Sequence, residues 1–234
     1  MDMDLHRRRT VTTGLASTGS VPTPRHPSGA AGPCDRIGSA CCQYRRRSDA
    51  PSAVRRCHRQ GMHVKFGVMF ANVGPMAHAE GAVAVAQAAE EAGFESIWTV
   101  EHTVVPAGYQ STYPYGAGGR MPGPEDSDFP DPLIWLAFVA AHTSTVRLGT
   151  GVLILPQRNP VTLAKEVATL DRLSGGRVEL GVGVGWLEEE FKALGVPFAE
   201  RGKRADDQIA AMRALWNQEL SSHDGPYYSF DGIY

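Results

Sequence analysis

The chain has 234 residues, enough for one large domain or two small ones, and a formal net charge of −2. That near-neutral total hides an asymmetry: residues 1–61 carry eleven arginines, no lysine and four acids, whereas residues 62–234 carry 12 basic and 21 acidic side chains. All four cysteines (Cys34, Cys41, Cys42, Cys57) lie in the first part, so disulfides cannot hold the remainder together, and their spacing lacks the paired pattern of a zinc site.

Residues 1–61 are rich in Arg, Ser, Pro, Gly and Thr and show no apolar periodicity, so they cannot bury enough surface to offset chain entropy and read as disordered. Three explanations compete for them: a transit-type leader, a basic nucleic-acid tail with Tyr44 as its sole aromatic, or a start placed upstream of a true beginning at Met62. The third is preferred, and no nucleic-acid partner is expected. No segment approaches the roughly 20 apolar residues that a membrane helix needs. The expectation is a soluble, cytoplasmic body over residues 62–234, with no membrane partner.

Along that body, Lys65–Phe70 is a short apolar run suited to a buried strand. Ala79–Ala92 reads as an alanine-rich helix ended by Gly93, and Ser96–Val100 as a second strand. Glu101–Asp131, full of Pro, Gly and Tyr, is too long for a routine connection and reads as a functional loop. Pro132 starts an apolar helix, and Val146–Leu155 is the third strand. Asn159 and Pro160 supply an N-cap and first helical residue, Leu163, Val167 and Leu170 recur at helical spacing, and Gly175–Gly176 ends that helix. Arg177–Val184 is the fourth strand. Helices over Leu187–Leu194 and roughly Glu200–Asn217 follow, and the terminal PYYSFDGIY suits a strand or hairpin.

Strands and helices alternating in this rhythm indicate β/α units around a parallel sheet covered on both faces. In the fourth strand Val178, Leu180, Val182 and Val184 share one face, and Glu179, Gly181, Gly183 and Gly185 the other. Bulky residues toward the helices and glycines inward favour a (β/α)8 barrel of the TIM type over an open doubly wound sheet. A whole barrel takes about 250 residues, so the reading is an incomplete barrel of about four to five β/α units.

Barrel chemistry gathers at the C-terminal strand ends. Glu101–His102, directly after the second strand, is the best acid/base candidate, because an imidazole can give or take a proton near neutral pH. A histidine that merely satisfies loop backbone groups is the competing reading; His78, His142 and His223 are expected to be structural or solvated. The run Gly181–Trp186 has G-x-G-x-G spacing in a fourth strand, with Asp206 and Asp207 in a helix, which argues against a dinucleotide fingerprint. Its glycines either let the backbone approach a planar ring or allow tight turning. Arg158 suits a phosphate or carboxylate, or stays solvated. Glu188, Glu189 and Glu190 read as a wet helix face. No metal site, P-loop or Ser-His-Asp set stands out.

Three segments, Glu101–His102, the run Arg147–Arg177 and the run Glu179–Gly202, together resemble the luciferase-like monooxygenase family, which includes bacterial luciferase and deazaflavin-dependent oxidoreductases. The resemblance covers about residues 63–216. It implies a barrel holding a flavin-type ring at the C-terminal strand ends, with His102 beside it as catalytic residue. It further implies a non-proline cis peptide at Gly151–Val152, and ring contacts from Glu101, Thr150, Gly151, Val152, Gly183, Val184, Gly185 and Trp186. Bacterial luciferase has an arginine where this chain has Val184, and the deazaflavin-dependent sugar-phosphate dehydrogenase a glutamate where it has Trp186; light emission and sugar-phosphate oxidation are therefore both disfavoured. The implied activity is hydride transfer to or from a small organic substrate with the deazaflavin coenzyme F-420. An FMN-dependent monooxygenase and a non-catalytic flavin binder or inactive fragment are the alternatives. The resemblance allows a homodimer. With late barrel strands absent, weak cofactor binding is expected.

Overall fold

The computed structural model describes residues 64–116 and 118–234, and the expectations for residues 1–61 lie outside them. In chain order the elements are β1 (Gly67–Val68), α1 (Ala79–Glu91), β2 (Ser96–Thr99), α2 (Pro132–Ala140), β3 (Arg147–Thr150), β4 (Leu153–Ile154), α3 (Pro160–Ser174), β5 (Val178–Glu179), β6 (Val182–Gly183), α4 (Glu188–Ala193), α5 (Arg201–Asn217), β7 (Ser221–Asp224) and β8 (Ser229–Ile233). β1, β2, β3 and β5 pair in parallel in that order, and β4 pairs in parallel with β6. Sheet neighbours are thus sequence neighbours with no switch point, which is barrel order and not doubly wound order. Four β/α units stand among the described residues, and β7 and β8 form the antiparallel hairpin at the chain's end.

Local sequence explains where the helices begin and end. Asn159 Oδ1 accepts the N–H groups of Val161 and Thr162, Pro160 takes the first helical position of α3, and Gly175 closes it at φ 72°, a left-handed geometry that glycine adopts without penalty. Asp131 caps α2 in the same way through Leu133 and Ile134, again with proline next. The side chains these helices turn inward meet the sheet. Ile97, Leu136, Val139, Leu148, Leu153, Leu155 and Leu163 are all fully buried in one cluster, each worth about 1.5–3 kcal/mol of apolar burial. Arg177 ties the ends of α2 and α3 together, donating to the carbonyls of Ala140, Thr143, Val146 and Ser174.

The other face of the sheet is built around Trp98. It stands in register with Gly149, where a Cβ would lie 2.3 Å from the indole, so only glycine lets the ring lie there. The third and fourth strands are each interrupted. β3 and β4 part at Gly151–Val152, whose peptide is cis, as the resemblance implied, while β5 and β6 part at Leu180–Gly181, a break that the sequence did not announce. Across the gap, Thr150 Oγ1 donates to the Gly181 carbonyl at 2.7 Å and accepts the Gly181 N–H at 3.0 Å. The break also ends the expected alternation. Val178 and Leu180 pack on the core, but Val182 and Val184 are 36% and 41% exposed and do not face the helices.

Asp207 of α5 fixes the terminal hairpin. Its carboxylate meets His223 Nε2 at 2.8 Å and accepts the N–H groups of Tyr227 and Tyr228. Burial opposes the charge, but these bonds hold the carboxyl below its ordinary value. His223 is structural, as expected.

Candidate active site

The C-terminal strand ends enclose a cavity of about 1220 Å³. Phe70 and Gly74 reach it from the end of β1, Val100 to His102 from β2, Gly151, Val152 and Ile154 from β3 and β4, and Gly183 to Trp186 from β6. The far wall is the long loop, from Thr112 to Phe129. The structure therefore brings His102, Glu101, Gly151, Val152, Gly183, Val184, Gly185 and Trp186 onto one hollow. Thr150 is the exception: it is 1% exposed and its hydroxyl is bound to Gly181 beneath the wall, so it offers no atom to the cavity.

His102 is oriented by a residue the sequence gave no reason to choose. Its Nδ1 lies 3.1 Å from Oε2 of Glu190, whose side chain is completely buried. The other oxygen, Oε1, accepts the N–H groups of Thr103 at 2.6 Å and Val104 at 3.2 Å. A carboxylate only accepts, so Nδ1 carries a proton, and in the neutral imidazole Nε2 is the nitrogen that keeps its lone pair. Among the described residues no protein group hydrogen-bonds Nε2, and the imidazole borders the cavity. Edge-on contacts with Phe129 at 5.6 Å and Trp186 at 5.7 Å fix the ring from its sides.

The expectation of a wet glutamate run is therefore corrected. Of the three acids, Glu190 is buried beneath the loop, and Glu189 accepts the Ser111 hydroxyl at 2.6 Å and the N–H groups of Gln110 and Ser111. The Ser111 hydroxyl and the Gln110 N–H hold the Glu189 carboxyl down at about 2. The short helix α4 anchors the loop at two places, and only Glu188 is exposed.

Glu101 does a different job from the one expected. Its carboxylate is 2% exposed and is bound by Arg158 Nε and Nη2 and by the Ile154 N–H. Arg158 Nη2 also meets Asp131 at 2.6 Å. Burial pushes the Glu101 carboxyl up, opposed by the guanidinium and the backbone N–H. Burial likewise works against the Arg158 charge, but the two carboxylates outweigh it and raise its pKa. One arginine thus clamps both ends of the loop, and Arg158 finds carboxylates. Asn72 makes a matching tie, exchanging two hydrogen bonds with the backbone of Val100 at 2.8 and 2.9 Å.

The glycines of the wall are explained by protein packing. A Cβ at Gly181 would lie 2.2 Å from the Thr150 carbonyl oxygen, and one at Gly183 2.6 Å from Val152 Cγ2. At Gly185, with φ 77°, it would meet Phe191 at 2.7 Å. The space these residues vacate is filled by the chain itself, so tight turning accounts for their identity. What faces the hollow is their backbone together with Val152 and Val184, both more than 40% exposed.

Aromatic side chains of the loop complete the wall. Trp186 makes edge contacts with Tyr109 at 5.4 Å and Tyr113 at 5.2 Å, and Tyr113 with Tyr115 at 5.5 Å. Tyr109 is 3% exposed and forms the loop's own core; its hydroxyl accepts the Met121 N–H, and Arg120 lies over its ring. Arg201, at the first turn of α5, is the only Arg or Lys on the cavity wall among the described residues. No helix of the described residues is long and apolar enough to cross a membrane.

Known proteins resemble this chain in sequence and in fold. The profile of a family described as luciferase-like monooxygenase matches residues 62–234. An uncharacterized protein of Mycobacterium tuberculosis, Rv0953c, is 40% identical over 147 residues, which are 63% of this chain and 52% of that protein. An F420-dependent glucose-6-phosphate dehydrogenase of Kineococcus radiotolerans is 36% identical over 145 residues, 60% of this chain and 38% of that enzyme. Among solved structures, the monooxygenase RslO1 from Streptomyces bottropensis superposes with a TM-score of 0.58 at 32% identity, covering 73% of this chain and 48% of that one. The chain spans about half the length of the curated relatives it matches first.

Proposed function

Because the chain belongs to the luciferase-like monooxygenase family, we propose that its cavity holds a flavin-type ring, the deazaflavin coenzyme first and FMN second, in an oxidoreductase acting on a small organic substrate. One observation carries this reading: an imidazole oriented through Nδ1 by a buried carboxylate borders the same hollow as the ends of β3–β4 and β6. The residues present fit a planar ring. Val152 and Val184 offer exposed apolar contact beside glycine backbone, and the volume exceeds the roughly 300–1,000 Å³ of ordinary ligand pockets. Similarity to the F420-dependent Kineococcus enzyme favours the deazaflavin; similarity to the monooxygenase RslO1 supports an oxygen-activating enzyme as the second reading.

Bound there, such a ring supplies the redox chemistry by giving or accepting a hydride. His102 Nε2, the lone-pair nitrogen, takes or returns the proton that accompanies it. Glu190 holds that tautomer and the ring's orientation. Glu101 positions the strand end through Arg158. The loop 101–131 shapes the substrate side and screens it from water.

The test is a pair of absorbance titrations, with the deazaflavin coenzyme and with FMN, on the wild-type chain and on His102→Ala. The expected result is retained ring binding in the variant with turnover lowered about 10²–10⁴-fold, the usual worth of a general acid–base. Turnover unchanged by the substitution would remove the role of His102, and binding of neither ring would remove the cofactor.

A further inference from the structure

Apart from Tyr113 and Tyr115, the ionisable side chains on the cavity wall are His78, Glu101, His102, Asp128 and Arg201, and most are committed elsewhere. Glu101 is neutralised by Arg158. Asp128 and His78 face each other at 3.6 Å in a solvated position, each 71% exposed. Arg201 donates to the Gly185 carbonyl at 3.1 Å and the Phe198 carbonyl at 3.0 Å, with its guanidinium 3.8 Å over the Phe198 ring. Arg201 thus commits two of its nitrogens to neutral carbonyls, which position the guanidinium without cancelling its charge.

What stands next to His102 is aromatic. Phe129 and Trp186 touch the imidazole on two sides, and Tyr113 and Tyr115 continue from Trp186 along the same wall. Tyr115 is 83% exposed, and Tyr113 packs around Trp186 while its N–H is held by the Gly119 carbonyl. These rings present negative faces and positive edges, which bind another ring edge-on or in offset stacking and repel an anion over the face.

We propose that the substrate subsite beside His102 takes a planar aromatic molecule, with Phe129, Trp186 and Tyr113 setting its specificity. This rests on the reading of the cavity as the catalytic site. It accounts for a feature that the ring-binding role leaves unused, the aromatic composition of the loop wall. It also accounts for the loop's rigid attachment. Glu189 and Glu190 fix the segment before Thr112 and Arg158 fixes Asp131, so the rings are held in place before a ligand arrives.

Two neutral probes of similar size test it: 2-naphthol and its saturated counterpart, decahydro-2-naphthol. Each is titrated calorimetrically into the full chain with and without the deazaflavin coenzyme. The naphthol is expected to bind about tenfold more tightly than the saturated alcohol, the worth of two aromatic contacts, and to remain bound when the coenzyme is added. Tyr113→Ala and Phe129→Ala should each weaken it about three- to tenfold, the worth of one aromatic contact, whereas Tyr113→Phe should keep wild-type affinity. Thermal melts confirm that the variants are folded. Equal or tighter binding of the saturated alcohol, displacement of the naphthol by the coenzyme, or alanine variants that bind it as the wild type does would each overturn the proposal. Naphthol selectivity in a chain that binds neither flavin-type ring would overturn the cofactor reading while supporting this one.

Discussion

Replacing Glu190 by glutamine changes one atom and two properties. The wild-type carboxylate accepts from Thr103 N at 2.6 Å, Val104 N at 3.2 Å and His102 Nδ1 at 3.1 Å with no solvent access. Hydrogen bonds to a charged group contribute about 1.5–3 kcal/mol each and neutral ones about 0.5–1.5. Glutamine keeps an oxygen for the two backbone N–H groups at the lower value, so the loss is about 1–3 kcal/mol. For a domain of this size that is a fall in Tm of roughly 2–4 °C per kcal/mol. The second property is the tautomer. The amide NH2 now faces Nδ1, which must become an acceptor, and the proton moves to Nε2. The nitrogen on the cavity side turns from acceptor to donor. Long-range ¹⁵N–¹H correlation spectra of the histidine rings read this directly: an Nδ1–H tautomer is expected for His102 in the wild type, and Nε2–H in Glu190→Gln. Turnover should fall about 10²–10⁴-fold with little change in cofactor affinity. An unchanged tautomer, or a melt within about 0.5 kcal/mol of wild type, would refute the claim that Glu190 orients the imidazole.

Arg158→Met leaves the Glu101 carboxylate buried without its counter-charge, and chemical denaturation should show a loss of about 3–5 kcal/mol; adding Glu101→Gln should recover much of it. Acid stability follows from Glu90, which accepts the N–H groups of Ser144, Thr145 and Val146, and from Glu189, both held at about 2. Their folded pKa values lie below the unfolded ones, so their stabilisation is complete above about pH 4.5 and is lost as pH falls toward 2. The acid limb of a Tm–pH curve should therefore be shallower in Glu189→Gln, and an unaltered limb would count against the loop anchor. Gly149→Ala drives a Cβ into the Trp98 indole and should cost about 1–3 kcal/mol. Gly202→Ala, in the first turn of α5 with nothing within 4 Å of the added Cβ, should stabilise by about 0.4–1 kcal/mol in the same melts.

How much of this was legible in the residues depends on the range of the interaction that decides each feature. Caps act within three residues, and Asn159–Pro160 and Gly175 delimit α3 where their chemistry says they should. Parallel β/α units follow from strand–helix alternation, and the aromatic tail formed the hairpin it suggested. The interruptions of the third and fourth strands are decided across the sheet, by Thr150 meeting Gly181 thirty-one residues on, and hydropathy along either strand carries no trace of them. The same holds for Glu190. Three consecutive glutamates read as a solvated face because each alone would be, and only contacts from residues 86 to 88 positions earlier bury the third. Trp186 inverts the problem. Its identity was legible as a departure from the family pattern, but its use depends on Tyr109 and Tyr113, which the loop brings against it. A site assembled by a long loop is readable in its strand-end residues and silent about its partners there, because the loop's conformation is set by Glu189, Glu190 and Arg158 and not by its own sequence alone.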